Sequence, residues 1–201
     1  MKQATRLLAA LLAVGLTVAA CGDDGGGTGT TSGDELTMSE LNTIFGELFE
    51  IAFGVGGLSP AASAPAAPVP FNQSISQTEA CPEGGSVSLS GNLSGTIDDV
   101  TLEGNLDMTL TESISGCIIA SGTKKFTVDG DPNIQITASV TFRPGISGTF
   151  TLKGGFKFTS DDGRSGSCGI DMSVNLATEA VTGNVCGRSA GGINVSVAGL
   201  N

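Results

Sequence analysis

The stretch Ile134–Phe142, IQITASVTF, decides the fold class of this chain. Apolar side chains stand at every second position of it, namely Ile134, Ile136, Ala138, Val140 and Phe142. Side chains two residues apart lie on the same face of a β-strand. The stretch therefore predicts a strand with one buried face and one solvated face.

The same alternation recurs on both sides of this stretch, from residue 71 to residue 201. The apolar residues that share a parity within each run are Val87, Leu89 and Leu93; Leu102, Leu106, Met108 and Leu110; Phe150 and Leu152; Phe156 and Phe158; Ile170, Met172, Val174 and Leu176; Val181 and Val185; and Ile193, Val195 and Val197. Turn signals separate the runs, at 98–99, 129–133, 144–145, 154–155, 160–163 and 190–192. Short connections favour antiparallel neighbours, so the pattern predicts about nine strands in a meander.

This alternation indicates a mainly β protein, because each strand has one apolar face that must be covered. We expect an antiparallel meander that forms a curved sheet or barrel, with a sandwich as the alternative. Five glycines fall on the inward side of their strands: Gly91, Gly95, Gly104, Gly148 and Gly183. Glycine at such positions removes side-chain bulk and lets a strand bend, which favours strong curvature.

One N-terminal helix is predicted before the strands. Thr37 and Glu40 have the spacing of a capping box, in which each side chain binds the other residue's backbone N–H. The apolar residues that follow at helical spacing are Leu41, Ile44, Phe45, Leu48, Phe49 and Ala52. They predict an amphipathic helix over about residues 38–53, packed on the sheet.

The N-terminus has the pattern of an export signal. Lys2 and Arg6 precede an apolar run, Leu7–Ala20, that is too short to span a bilayer. The run ends in Val18-Ala19-Ala20-Cys21, which resembles the lipobox of bacterial lipoproteins. The resemblance implies that residues 1–20 are a cleaved signal peptide and that Cys21 is the lipidation site, carrying palmitate or a similar acyl group. An ordinary secretory signal, cleaved near the same place, is the alternative.

These features divide the chain into four parts. Residues 1–20 are the signal peptide, residues 21–36 a lipid-anchored flexible tether, residues 37–70 the helix with a Pro/Ala-rich connector, and residues 71–201 the antiparallel β domain. Acylated Cys21 would attach the chain to a membrane. We expect it in the bacterial cell envelope, at the outer membrane or cell surface rather than the inner membrane.

The charge balance excludes one class of partner. The chain has 9 lysines and arginines against 20 aspartates and glutamates, a formal net charge of −11. Removal of residues 1–20 takes away Lys2 and Arg6 and makes the remainder more acidic still. Such a surface repels the phosphate backbone of nucleic acids, so no nucleic-acid partner is expected.

The four cysteines after Cys21 are an even number, which in an exported chain predicts two disulfides. Four cysteines allow three connectivities. The two pairs that are nearly symmetric about turn-like sequence are Cys81 with Cys117 and Cys168 with Cys186. We favour these pairs, each at the open end of a hairpin. The apolar parity differs by one across each pair, which requires a bulge.

The composition lacks the usual catalytic groups. The chain has no histidine, tyrosine or tryptophan, which excludes Ser-His-Asp and Cys-His arrangements and histidine zinc sites. Ser121 and Lys124 have the S-x-x-K spacing of penicillin-recognising serine enzymes, but they lead into a strand. We interpret the doublets Asp98-Asp99 and Asp161-Asp162 as solvated turns. We therefore expect no enzymatic activity and no cofactor.

One weak metal candidate remains. Asp129, Asp131 and Asn133 place oxygen ligands at alternate positions, as at the start of a calcium-binding loop. The glycine and the distant glutamate of an EF-hand loop are absent, and a hairpin turn explains Asp-Gly and Pro-Asn equally well. We interpret the segment as a turn and keep calcium as the weaker alternative.

Two functions fit these expectations. In the first, the β domain of a non-enzymatic, lipid-anchored envelope protein binds an apolar small molecule or an envelope protein. In the second, the domain is a structural or adhesive surface module without a ligand pocket, and its Ser/Thr-rich outer strand faces form the contact surface. No pattern in residues 71–201 indicates a specific family.

Overall fold

The structure, a computed structural model, describes residues 14–17, 35–54, 69–98, 101, 103–142, 145–190 and 194–197. These residues form one α-helix and eleven strands. In chain order the elements are β1 (Val14–Thr17), α1 (Met38–Gly54), β2 (Val69–Ala80), β3 (Ser86–Ile97), β4 (Gly104–Ser115), β5 (Cys117–Ser121), β6 (Lys124–Phe142), β7 (Ile146–Ser160), β8 (Ser165–Asn175), β9 (Ala180–Val185), β10 (Arg188–Ser189) and β11 (Asn194–Val197). The described chain is therefore mainly β, as the alternation predicts.

Strands β2 to β10 form a single antiparallel sheet of nine strands in which each strand pairs with the next along the chain, except that β4 pairs with β6 and not with β5. β4 and β5 act as one long strand, because β4 pairs with the second half of β6 and β5 with its first half. The sheet is open, with β2 and β10 at its edges. The predicted meander and curved sheet are confirmed, whereas the described strands form neither the closed barrel nor the two-sheet sandwich.

Two of the predicted turns lie inside strands. The segment 129–133 belongs to β6, where three residues bulge out between two paired positions, Gly130 with Phe156 and Ile134 with Gly154. Gly154-Gly155 lies inside β7 and does not turn the chain either. Pairing of β6 with β7 on both sides of the bulge holds the chain extended, which overrides the local turn signals. The bulge shifts the register by an even number of residues and so keeps the apolar side chains on one face.

The inward glycines are required because a neighbouring strand occupies the space of a side chain. A Cβ on Gly91 would lie 2.1 Å from the carbonyl oxygen of Thr109, and one on Gly148 would lie 1.9 Å from that of Ser139. Both glycines have positive φ, 149° and 131°, in a region that other residues rarely adopt. Such glycines bend their strands and let the sheet curl, as the sequence predicts.

The core lies on the inner face of the curled sheet. Inner side chains are buried from Ile75 of β2 to Val185 of β9. α1 contacts β5, β3 and β2, and Phe45 of α1 packs edge-on against Phe156 of β7 at a ring-centroid distance of 5.8 Å. A helix is about 10 Å wide and strands lie about 4.8 Å apart, so one helix cannot cover nine flat strands. The curl of the sheet itself buries the rest of the inner face.

The predicted capping box is present at the start of α1. The backbone N–H of Thr37 donates to Oε2 of Glu40 at 2.8 Å, and the N–H of Glu40 donates to Oγ1 of Thr37 at 3.2 Å. Four residues of the predicted apolar stripe, Leu41, Ile44, Phe45 and Leu48, are buried, and the side chains of Phe49 and Ala52 lie outside the description. The amphipathic helix packed on the sheet is therefore confirmed.

Both favoured disulfides form, Cys81–Cys117 and Cys168–Cys186. Cys81 follows β2 and is joined to the first residue of β5, beside the open end of the β3–β4 hairpin. Cys186 follows β9, just after Val185 pairs with Ile170 of β8. Cys186 has a positive φ of 50°, and the β3–β4 and β8–β9 registers contain no bulge, so the bulge that the parity predicts is not needed.

Several predicted features lie outside the described residues. They are Cys21, the Gly-rich part of the tether, residues 55–68 of the connector, and the signal peptide apart from β1. β1 pairs with β11 as a separate two-stranded sheet, and because β1 lies within the predicted signal peptide, this pair requires the uncleaved chain. Val69 and Pro70 belong to β2, so the sheet begins slightly before the boundary set at residue 71.

Candidate functional site

Glu112 is the most unusual side chain of the core. It lies on β4 between Leu110 and Ile114, on the same face, and pairs across the sheet with Leu89 of β3 and Ile134 of β6. Glu112 is 1% exposed, and neither of its carboxyl oxygens has a hydrogen-bond partner. The sheet thus holds a carboxyl group inside an apolar layer.

Burial in this layer raises the pKa of the Glu112 carboxyl from its ordinary 4.5 to about 8. The cause is desolvation, since the charged form loses its hydration and none of the described residues donates a hydrogen bond in return. At neutral pH the group is therefore mainly protonated and uncharged. A protonated carboxyl offers both a donor and an acceptor, and in Glu112 both are unused.

A second buried carboxylate, Glu40, has the opposite environment. Arg164 donates from Nη2 to Oε1 of Glu40 at 2.7 Å and from Nη1 to Oε2 at 3.2 Å, and Nζ of Lys124 donates to Oε1 at 3.2 Å. Asp162 completes the group, with an oxygen 3.0 Å from both Nζ of Lys124 and Nε of Arg164. These four residues are called the Glu40 cluster below.

The Glu40 cluster remains ionised across the physiological pH range. Hydrogen bonds from Arg164 lower the pKa of Glu40 to about 2 against the opposing effect of burial. The hydrogen bond from Lys124 lowers the pKa of Asp162 well below its ordinary value. The guanidinium of Arg164 also lies over the ring of Phe126, 5.6 Å from its centroid, in a cation–π contact.

The Glu40 cluster ties the first turn of α1 to two turns of the sheet. Lys124 is the first residue after the β5–β6 turn, and Asp162 and Arg164 lie in the turn between β7 and β8. One turn further along the helix, Oγ of Ser121 donates to Oγ1 of Thr43 at 3.3 Å. Charge-assisted, bidentate contacts fix both distance and orientation. The cluster therefore sets the position of α1 on the inner face.

The three weak calcium candidates are engaged by separate protein groups. Their partners are the N–H of Gly116 for Asp129 at 2.7 Å, Nζ of Lys157 for Asp131 at 3.1 Å and Nε2 of Gln135 for Asn133 at 3.1 Å. Within the described part of the chain, no group of three or more histidine, cysteine, aspartate or glutamate residues is placed to hold a metal ion. The segment is a strand bulge, and its interpretation as a hairpin turn is wrong.

Two residues of the catalytic motifs belong to the structural contacts of α1. Lys124, from the S-x-x-K spacing, pairs with Glu40 and Asp162. Asp162 lies exposed in the turn between β7 and β8, as predicted, and in addition forms ion pairs with Lys124 and Arg164. The two ends of the S-x-x-K motif act on the same helix, since Ser121 bonds to Thr43.

Sequence reasoning missed Glu112, although a signal is present. Glu112 shares its parity with Leu110 and Ile114, so a charged residue falls in an otherwise apolar series. The pairing of Glu40 with Arg164 has no local signal, because the two residues are 124 positions apart. Only the turn between β7 and β8 brings them together.

Comparisons with known proteins give no relative on which to base a function. No protein-family model matches the chain, no curated protein matches it, and no solved structure matches it. In the described ranges, no helix combines the length and apolar character needed to cross a membrane. Glu112, α1 and the inner face of the sheet are therefore the features of the described chain from which we infer a function.

Proposed function

We propose that this protein is a non-enzymatic, lipid-anchored protein of the bacterial cell envelope whose β domain binds an apolar ligand on the inner face of the sheet. The single observation that carries ligand binding is Glu112, a buried carboxyl group that no described residue satisfies. The anchor is supported by the lipobox pattern that ends at Cys21.

An unsatisfied carboxyl in an apolar layer weakens the fold. Leaving a buried polar group without a partner costs about 1–3 kcal/mol. A leucine at position 112 would match its neighbours Leu110 and Ile114 without that cost. Local violations of this kind are expected where a protein binds or reacts rather than where it only packs. A ligand with a complementary polar group would supply the missing partner.

α1 is placed to cover the ligand. It lies on the inner face through one apolar stripe and is held at its first turn by the Glu40 cluster. Phe45 of α1 contacts Phe156, whose side chain points to the same face as Glu112 by the strand register. A shift of α1 would open the inner face beside β3 and β5, the strands that it contacts most, and the ionic contacts would guide its return.

Metabolic labelling with palmitate tests the anchor. We expect the chain to incorporate label and to lose it in the Cys21→Ser variant, because the acylated residue is then absent. Label that persists in Cys21→Ser would disprove lipidation at this residue and return the N-terminus to an ordinary secretory signal.

Native mass spectrometry tests ligand binding. The full chain carrying Cys21→Ser is purified and its mass is compared before and after denaturation. We expect a bound small molecule that is lost on denaturation and reduced in a Glu112→Leu variant. A co-purified envelope protein in its place would favour the protein-partner form of the proposal. Unliganded chain in every preparation would contradict it.

The outer strand faces favour one other function, a structural or adhesive module. Polar side chains bond across neighbouring strands there, such as Thr78 with Ser88 at 2.9 Å and Ser74 with Asn92 at 3.1 Å. They form an exposed, ordered polar surface on the β2–β3 edge of the sheet. If contact through this surface is the function, Ser88→Lys abolishes attachment to the partner surface, while Glu112→Leu leaves attachment unchanged.

A further inference from the structure

We propose that the inner face around Glu112 is a binding site for an apolar amine, a molecule with a hydrocarbon part and a primary ammonium group. This inference rests on the proposed function and narrows the class of ligand. Its basis is the position of one carboxyl group, the apolar residues around it and the charge of the chain.

The surroundings of Glu112 fit a hydrocarbon. The four nearest positions on the same face are Leu110 and Ile114 along β4, Leu89 across to β3 and Ile134 across to β6. All four are buried. A molecule that contacts this layer meets aliphatic side chains on every side and a single polar group at its centre.

The ligand itself must supply the charge or the hydrogen-bond donor that pairs with Glu112. Glu40 and Glu112 are the buried charged side chains of the described residues. Arg164 and Lys124 are already bonded to Glu40, so they are not free to pair with Glu112. A primary ammonium would offer N–H donors and the opposite charge to Glu112 in one group.

The charge of the whole chain selects a cation over an anion. The net charge of −11 attracts cationic molecules and repels fatty acids and phospholipid phosphates. A neutral alcohol would satisfy one hydrogen bond of Glu112 but would gain nothing from this field. An amine therefore fits the site better than an alcohol or a fatty acid of the same length.

Binding is accompanied by a defined proton transfer. In the free protein at pH 7 the Glu112 carboxyl carries its proton. When an ammonium group binds, the carboxyl O–H bond breaks, the proton passes to solvent, and the carboxylate accepts hydrogen bonds from the ammonium. No electrons are transferred and no covalent bond joins the two molecules. About one proton is therefore released for each amine bound at pH 7, and almost none at pH 9.

Isothermal titration calorimetry on the full chain with Cys21→Ser tests the inference. The probes are dodecylamine, dodecanol and dodecanoate, each below its micelle concentration, in buffers of different ionisation enthalpy. We expect dodecylamine to bind about tenfold more tightly than dodecanol and to release about one proton at pH 7. Dodecanoate should bind most weakly.

Two variants separate the site from general attraction to an acidic surface. Glu112→Gln removes the ionisable group and should weaken dodecylamine binding by about tenfold or more and abolish proton release. Asp107→Asn removes an exposed charge from the outer face of the same strand and should change neither. Circular dichroism and thermal unfolding confirm that each variant is folded.

The possible failures are distinguishable. If none of the three probes binds, both the amine site and ligand binding as the function are wrong. If all three bind with similar affinity and Glu112→Gln changes nothing, the amine site is wrong and the broader proposal stands. If dodecylamine binds without proton release at pH 7, the pairing with Glu112 is also wrong.

Discussion

Replacing Glu112 by glutamine removes an ionisable carboxyl group from the core. Glutamine has nearly the same shape but stays neutral at every pH. In the natural chain, burial raises the pKa of Glu112 from 4.5 to about 8, so the folded state holds this proton more tightly than the unfolded state. The free energy of unfolding must then fall as pH rises, because the unfolded chain gives up the proton first.

The size of the effect follows from the two pKa values. Below pH 4.5 the carboxyl is protonated in both states, and the full stability is present. Between pH 4.5 and about 8 the free energy of unfolding falls by about 1.4 kcal/mol per pH unit, and above that range it is constant. The total loss is about 5 kcal/mol, comparable with the whole stability of a small domain.

Urea unfolding followed by circular dichroism measures this dependence between pH 5 and pH 9. The chain has no histidine, so the usual titrating side chain of this window is absent. Glu40, whose pKa is lowered by Arg164, is ionised throughout and loses its contribution only as pH falls from 4.5 towards about 2. We expect a steep fall in the natural chain, a flat profile in Glu112→Gln, and an unchanged fall in the matched control Asp107→Asn.

A flat profile in the natural chain would refute the reasoning, because it would mean that Glu112 is already solvated or paired when folded. If the free energy of unfolding still falls with pH in Glu112→Gln, another group titrates in this range. That result would equally contradict the burial of Glu112 in the apolar layer.

The remaining predictions test the Glu40 cluster, an inward glycine of the curled sheet and one disulfide. Arg164→Ala should cost about 3 kcal/mol, because it leaves a buried carboxylate partly unpaired, and should speed amide hydrogen exchange within α1. Gly91→Ala should lower the free energy of unfolding by about 2 kcal/mol or more in urea titrations, since a Cβ meets a neighbouring carbonyl; the control Gly46→Ala, on open helix surface, should raise it by about 0.5–1 kcal/mol. Replacing both Cys81 and Cys117 by alanine opens a 36-residue loop and should cost about 4 kcal/mol by the chain-entropy argument, measured by thermal unfolding.

The fold was largely predictable because its signals are local. Alternation along IQITASVTF requires only the geometry of one strand, and short connections dictate antiparallel neighbours. The capping box at Thr37 and Glu40 is likewise a contact between residues three positions apart. The disulfide pairs were accessible for the same reason, since hairpin symmetry relates sequence distance to spatial distance.

The errors occur where pairing overrides a local preference. Residues 129–133 and 154–155 contain strong turn residues, yet each segment lies in a strand held by a partner. Residues with alternative local uses, such as aspartate, glycine and proline, form a bulge as readily as a turn. Sequence alone does not show which of the two the neighbouring strand permits.

The candidate site was harder to predict because the charge of each buried glutamate depends on the side chains that surround it in the folded chain. Glu40 and Glu112 are both buried glutamates, but Arg164 and Lys124 keep the first ionised while apolar neighbours keep the second neutral. The difference arises because the turn after β7 places the cation of Arg164 beside α1 and places no cation beside β4. Parity marks Glu112 as unusual, but only the assembled sheet shows that it has no partner.

The central claim, that Glu112 is a neutral carboxyl reserved for a cationic ligand, is tested most directly by its own titration. The side-chain carboxyl carbon of Glu112 is followed by NMR in the isotope-labelled full chain, with Glu112→Gln identifying the signal. The account predicts a protonated carboxyl at pH 7 in the free chain and an ionised one at the same pH when dodecylamine is bound. A Glu112 signal that titrates near pH 4.5 in the free chain, or that stays protonated with saturating dodecylamine, would contradict it.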